Sequence, residues 1–268
     1  MDVRFRYGGL AGQINLKHGP RDLLARYFAG VDDALRERGL RVSICTDFDR
    51  LVRLNRENRD SWPPLMPFSD PAFSKLDEGG AFWLDVRDRY GDTVMTHGGR
   101  LLDWSDTTLE QEAKTLRLLY AEPAPHLAAG DTIDIIDAPS ASCIRGRLLL
   151  TSSAWVHPDF RSHGLCKIVP RVSRVYAYTR WSTRCTIYCI DPKLHALGVT
   201  RAYGDYRSEG LFAFRLLDRG EVLGVLCRMT ARTMLREVAD IVRLRENRPV
   251  AQQRSTKDEF VSALALPG

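Results

Sequence analysis

Apolar positions along the chain recur at two periods, and the changes between them mark out the elements. Residues 21–38 carry Leu23, Leu24, Tyr27, Phe28, Val31 and Leu35 at helical spacing, and Gly39 follows as a stop, so an amphipathic helix is predicted there. RVSICTDF reads as a short strand, and FDRLVRLNRENRDSW as a second helix ended by Pro63 and Pro64. A loop-rich stretch follows, and AFWLDVRDRYGDTVMTHGGRLLDW then reads as a β-hairpin turning near Arg89, Tyr90 and Gly91. A helix through about Tyr120 is expected after Thr107, which with Glu110 forms a capping-box-like start. DTIDIID alternates as a half-buried strand should, and RGRLLLTSSAWV is a longer strand closed by His157 and Pro158.

Beyond it, Leu165, Ile168, Val169, Val172, Val175, Tyr176 and Thr179 recur along one helix face, which places a helix start near Gly164. Pro170 lies past the first turn of that helix, so a kink is expected between Cys166 and Pro170. TRCTIYCI is a β-rich run, DPKLHALGVTRAYG a short helix starting at Asp191 and Pro192, and LFAFRLLDRGEVLGVLCRM a second hairpin turning at Asp218 to Glu221. TARTMLREVADIVRL is a last helix, and the remaining tail, mixed in charge and small residues, reads as mobile at least in part. Helices and hairpins in this order argue for a mixed α/β fold and against a doubly wound parallel sheet.

The chain has 268 residues, 44% of them hydrophobic, enough for one elaborated domain with a sizeable core. No apolar run approaches the roughly 18 residues of a membrane span, and MDVRFRYGGL lacks the features of a signal peptide, so the expected location is the cytoplasm. Six scattered cysteines fit reduced thiols. If CTIYC is a strand, Cys185 and Cys189 lie about 13 Å apart on one face, too far for a disulfide. The net charge of +5 is carried almost wholly by arginine. The nearest thing to a nucleic-acid footprint is Arg228, Arg232, Arg236, Arg243, Arg245 and Arg248, but Glu237, Asp240 and Glu246 are interleaved with them, as on a solvated helix face.

The chemistry gathers at WVHPDFRSHGLCKIVP, where a strand hands over to a helix through a turn containing Arg161 and Gly164. The first N–H groups of a helix have no internal partner and carry the positive end of its dipole, so such a turn is an anion site. The stretch resembles the coenzyme A pyrophosphate loop of the GCN5-related N-acetyltransferases (GNAT superfamily): Arg or Gln, two residues, Gly, one residue, then Gly or Ala, after a strand ending in Val. Arg161, Gly164 and Cys166 stand at those positions, after Trp155 and Val156; Cys166 departs from the pattern but is small. The following strand and short helix, TRCTIYCI and DPKLHALGVTRAYGDY, extend the likeness over roughly residues 41–230.

The resemblance implies a GNAT acyl-CoA N-acyltransferase fold, a mixed and mostly antiparallel sheet flanked by helices. It also implies three regions: an N-terminal helical extension over 1–40, the acyltransferase domain over 41–230, and a C-terminal helix and tail over 231–268. It implies acetyl-CoA or another acyl-CoA as co-substrate, held by Trp155, Val156, Arg161, Ser162, His163, Gly164, Leu165 and Cys166, and an amine acceptor that attacks directly in a ternary complex. The family's acid, a Tyr after the second central strand, looks closest to Tyr203, with Tyr206 second; the family's usual spacing to the glycine would instead fall on Thr200. The strand LLLTSSAWV lacks the Glu that often serves as base, which leaves Ser152 and Ser153 to orient a water, with Asp103, Asp134 or Asp137 near. His157, His163 and Cys166 have no known zinc spacing, and Cys166, though a helix N-terminus would depress its pKa, has no His–Asp partnership in the sequence. The alternative function is a catalytically silent acyl-CoA-binding or interaction module on the same fold.

Overall fold

The computed structural model describes residues 9–247. In chain order the elements are α1 (Leu10–Gln13), α2 (Arg21–Glu37), β1 (Arg41–Cys45), α3 (Phe48–Glu57), β2 (Ala81–Arg87), β3 (Thr93–Trp104), α4 (Leu109–Lys114), α5 (Ala124–Ala129), β4 (Thr132–Ile136), β5 (Gly146–Val156), α6 (Leu165–Trp181), β6 (Cys185–Ile190), α7 (Pro192–Ala196), α8 (Val199–Tyr203), β7 (Arg207–Leu216), β8 (Gly220–Thr230) and α9 (Ala231–Glu246). The strands form one sheet in the order β1-β2-β3-β5-β6-β8-β7-β4. Every neighbouring pair is antiparallel except β5–β6 at the centre. This is the mixed, mostly antiparallel sheet with flanking helices that the sequence implies.

Alternation along the strands sorts the side chains into two cores. On one face Phe82, Leu84, Val86, Met95 and Leu149 pack under α2, α6 and α9, where Phe28, Val172, Val175, Val238 and Ile241 are almost inaccessible. On the other, Leu102, Leu148, Leu150, Ile187, Phe212 and Phe214 meet the insertion between β3 and β5, through Leu109, Leu116 and Leu119. Side chains of this size each contribute about 1.5–3 kcal/mol when fully buried, so the long central helix α6 is held chiefly by its sheet face.

Several local expectations are corrected. The capping box belongs to Thr108 and Gln111, one residue later than Thr107 and Glu110, and its helix ends at Lys114 because the chain turns through Leu116 at φ +59°. DTIDIID is the strand its alternation predicts, and it pairs with β7 at the edge of the sheet. The short helix after β6 is two, broken at Leu197–Gly198. Pro170 does lie inside α6, in its second turn, where it cannot donate to the Cys166 carbonyl, and the helix continues past it to Trp181. Glu237, read from the sequence as part of a solvated face, is buried, whereas Arg236, Arg243 and Arg245 on α9 do form ion pairs, with Asp205, Asp240 and Asp33. All six cysteines are free thiols. Among the described residues no helix is long and apolar enough to cross a membrane. The tail, Arg248 and the first eight residues lie outside the described residues.

Candidate active site

The parallel pair β5–β6 shares only three register pairs, Leu148–Cys185, Leu149–Thr186 and Leu150–Ile187. Beyond Leu150, β5 continues to Val156 beside β3, while β6 continues to Ile190 beside β8, so the two strands part and leave a V-shaped gap in the sheet. At the same level β5 carries a bulge: Thr96 pairs with Trp155 and Gly98 with Ser152, which sets Ser153 and Ala154 against His97 alone. Ser153 takes φ +53°, the left-handed conformation that non-glycine residues adopt at a cost. Bulges of this kind disrupt the ladder and occur next to active sites.

At the open end of the gap the chain passes from β5 through the 3-10 turn Pro158–Phe160 into α6. Ser162 and Gly164 both have left-handed backbone, with φ +72° and +71°. The N–H groups of Ser162, Gly164, Leu165 and Cys166 enter no hydrogen bond among the described residues. Unengaged donors at the start of a 17-residue helix are groups that an anion can satisfy. Trp155 is fixed by stacking on Trp62, with centroids 5.2 Å apart, and by its Nε1 donating to Ser61 Oγ at 3.0 Å. The Arg161 guanidinium donates to the carbonyls of Val156 and Ser61, each at 3.3 Å, and so ties the turn to the end of α3's connection. His163 is exposed, its ring beside Phe160 and its Nδ1 3.3 Å from the Arg161 carbonyl. Leu165 points into the core, and the Cys166 thiol lies partly buried beneath it.

Tyr203, the last residue of α8, reaches both sides of the gap. Its ring centroid is 6.2 Å from that of His97 on β3 and 5.6 Å from that of Tyr188 on β6. Burial raises its phenol pKa, and the nearby Cys166 thiol and Tyr206 add to the rise, so the proton stays on at neutral pH. Tyr206 packs edge-on against Tyr188 at 4.7 Å and lies under the Arg174 guanidinium; burial pushes it up to about 12. Burial raises the pKa of the Cys166 thiol, the opposite direction to that expected at a helix N-terminus.

No family model matches the chain, and no curated protein matches its sequence. Solved structures do match in shape. One is Arabidopsis thaliana NAA60 in complex with acetyl-CoA, 12% identical, covering 72% of this chain and 99% of that one with a TM-score of 0.46. Another is FeeM, an N-acyl amino acid synthase from uncultured soil microbes, 11% identical over 73% and 92% of the chains with a TM-score of 0.43. A third is the aminoglycoside acetyltransferase AAC(6')-Ib in complex with coenzyme A and kanamycin, 12% identical over 74% and 98% with a TM-score of 0.41.

The structure brings Trp155, Val156 and residues 161–166 to one end of the gap and Tyr203 to its middle. It does not bring the aspartates there. Asp134 pairs with Arg215 at the outer edge, Asp103 pairs with Arg147 at the end of β3, and Asp137 is exposed after β4. Ser152 bonds Ser69 at 2.7 Å and lies 3.4 Å from the Ser153 hydroxyl. Sequence reasoning missed His97, which is 2% exposed with no hydrogen-bond partner at Nδ1 among the described residues. Burial, with the Arg174 charge added, lowers its pKa to about 3, so it is a neutral imidazole beside Tyr203. A lone histidine in the hairpin strand TVMTHGG has no motif to mark it.

Proposed function

We propose that this chain is an acyl-CoA-dependent acyltransferase of the GNAT superfamily, which transfers an acetyl or other acyl group to an amine. The observation that carries the reading is the gap between β5 and β6, closed at one end by a helix N-terminus with four unengaged N–H groups. An extended pantetheine amide chain suits the unpaired edge of β5, and its pyrophosphate suits those donors. Gly164 matters here because it takes φ +71° and adds no side chain between ligand and backbone.

In this arrangement the acceptor amine attacks the thioester carbonyl from beside Ser152 and Ser153, and the tetrahedral oxyanion collapses with loss of the CoA thiolate. Tyr203 gives that thiolate its proton, for which a phenol held protonated is suited, and regains one from the amine nitrogen, which loses it through a water that Ser152 and Ser153 orient. His97 is neutral at physiological pH and supplies a polar wall beside the phenol. The test is to incubate the protein with acetyl-CoA and longer acyl-CoAs in the presence of a broad amine panel, and to follow free CoA by chromatography. Amine-dependent CoA release supports the enzyme. Tight CoA binding with no release over the whole panel would support the catalytically silent module instead, and no CoA binding would overturn both.

A further inference from the structure

Two arginines and a glutamate lie nearly inaccessible between α6, α8 and α9: Arg171 is 5% exposed, Arg174 1% and Glu237 6%. Charges taken out of water are costly unless they are paired and hydrogen-bonded, so what they bond is informative. Besides pairing with one another and bonding the Lys167 carbonyl, they hold one short piece of chain by three bonds. Arg171 Nη1 donates to the Ala202 carbonyl at 2.9 Å, and Arg174 Nη1 to the Tyr203 carbonyl at 2.7 Å. Arg174 Nη2 donates to Glu237 Oε2, and Glu237 Oε1 accepts the Asp205 N–H at 2.6 Å. The backbone is thus gripped on both sides of Gly204.

Gly204 itself shows how closely. A Cβ there would stand 2.7 Å from Arg174 Nη2, 2.8 Å from Glu237 Oε1 and 2.9 Å from Met229 Cε, and the residue takes φ +137°. Helix α8 has five residues, too few to hold a helix by itself, so its direction comes from what grips its end. The residue at that end is Tyr203, whose ring lies across the gap between His97 and Tyr188.

We infer that Arg171, Arg174 and Glu237 form a clamp that positions Tyr203, so that its phenol meets the sulfur of a bound CoA. They act on the carbonyls and N–H of the backbone that carries the ring, and are positioning residues. The inference rests on the reading of the gap as a CoA site with Tyr203 at the sulfur.

Calorimetry with CoA and with desulfo-CoA, the analogue lacking the sulfur, separates the two. The wild type is expected to prefer CoA by about 3- to 10-fold, the yield of one neutral hydrogen bond. Tyr203→Phe should abolish the preference. Arg174→Lys keeps the buried charge but cannot bridge the Tyr203 carbonyl and Glu237 with one planar fork, so the preference should fall towards unity while desulfo-CoA affinity stays within about 2-fold. In the double variant the two losses should not add. If circular dichroism shows that Arg174→Lys does not fold, Glu237→Asp, which keeps the charge but is one methylene shorter, takes its place. A preference kept by the clamp variant and lost by Tyr203→Phe would overturn the clamp and leave the Tyr203 reading standing. Equal weakening of both ligands would mean a structural role only, and would also overturn it. A preference unchanged in Tyr203→Phe would remove the Tyr203 reading and the clamp's role together.

Discussion

Two polar regions of this molecule are both built from turns and helix ends, yet they differ in what they leave undone. In the insertion between β3 and β5, Asp131 is 4% exposed and fully engaged. One carboxylate oxygen accepts the Tyr120 hydroxyl at 2.7 Å, the other accepts the Leu217 N–H at 2.8 Å, and the His126 ring stacks on Tyr120 with centroids 3.6 Å apart. At the gap between β5 and β6, four N–H groups of the turn, Nδ1 of His97 and the edge of a bulged strand have no partner among the described residues. Buried polar groups are normally satisfied, so a saturated cluster reads as architecture, and a cluster of open donors on a concave turn reads as a place for a ligand.

The contrast can be broken by experiment. The largest effect is expected at the open site: Tyr203→Phe should lower amine-dependent CoA release by a factor of about 10² to 10⁴, the usual range for a general acid, while CoA affinity falls by no more than the roughly 3- to 10-fold of one hydrogen bond. Full turnover would make Tyr203 a packing residue, and Tyr206 would be tested next. On the saturated side, Asp131→Ala strands the Tyr120 hydroxyl and the Leu217 N–H. It should therefore cost roughly 3 kcal/mol in chemical denaturation, with CoA affinity unmoved. A fall in CoA affinity of the folded variant would erase the distinction between the regions.

His97 sharpens the comparison, being buried and yet unsaturated. Its pKa in the folded protein is about 3, against 6.5 for a free imidazole, so the unfolded chain binds the extra proton between those values. Stability is then lost as pH falls below about 6.5, and the loss levels off near 3. Between pH 7 and pH 5 this amounts to about 2 kcal/mol by linkage, and His97→Leu should remove that part of the slope. Denaturation curves at the two pH values would decide, and an unchanged slope would mean that the imidazole is charged or open to water. The smallest effect belongs to Arg161→Ala. With the guanidinium engaged by two backbone carbonyls, CoA affinity should drop by no more than about 1 kcal/mol in calorimetry. A larger loss would place the side chain on the pyrophosphate.

Much of this was legible in the sequence because it is periodic. The apolar face of α6, the two hairpins and the turn at Arg161 to Cys166 follow from local spacing, and the resemblance of that turn drew attention to the end of the sheet where β5 and β6 part. What was not legible depends on contacts between distant residues. The clamp joins Arg174 to Glu237 across 63 positions. One signal was available: Glu237 falls on the same stripe as Met234, Val238 and Ile241, which marks a carboxylate that faces the core. DTIDIID alternates as an edge strand would, but nothing local says which edge it joins. The misplaced capping box shows the same limit at short range, since Thr107 and Thr108 are both followed three residues on by a residue that could complete the box, Glu110 and Gln111, and the packing of Leu109 into the insertion's core favours the second.

The central claim is that the turn from Ser162 to Cys166 binds the pyrophosphate of CoA, and calorimetric titration of CoA into the wild type and Gly164→Glu tests it most directly. A glutamate at φ +71° puts its chain and charge where the anion would lie, while circular dichroism should show that the sheet and α6 persist. The account predicts saturable one-to-one binding to the wild type and a loss of at least about 100-fold in the variant, or ~2.7 kcal/mol, since a like charge replaces a favourable one. CoA affinity unchanged by the substitution in a folded protein would contradict it.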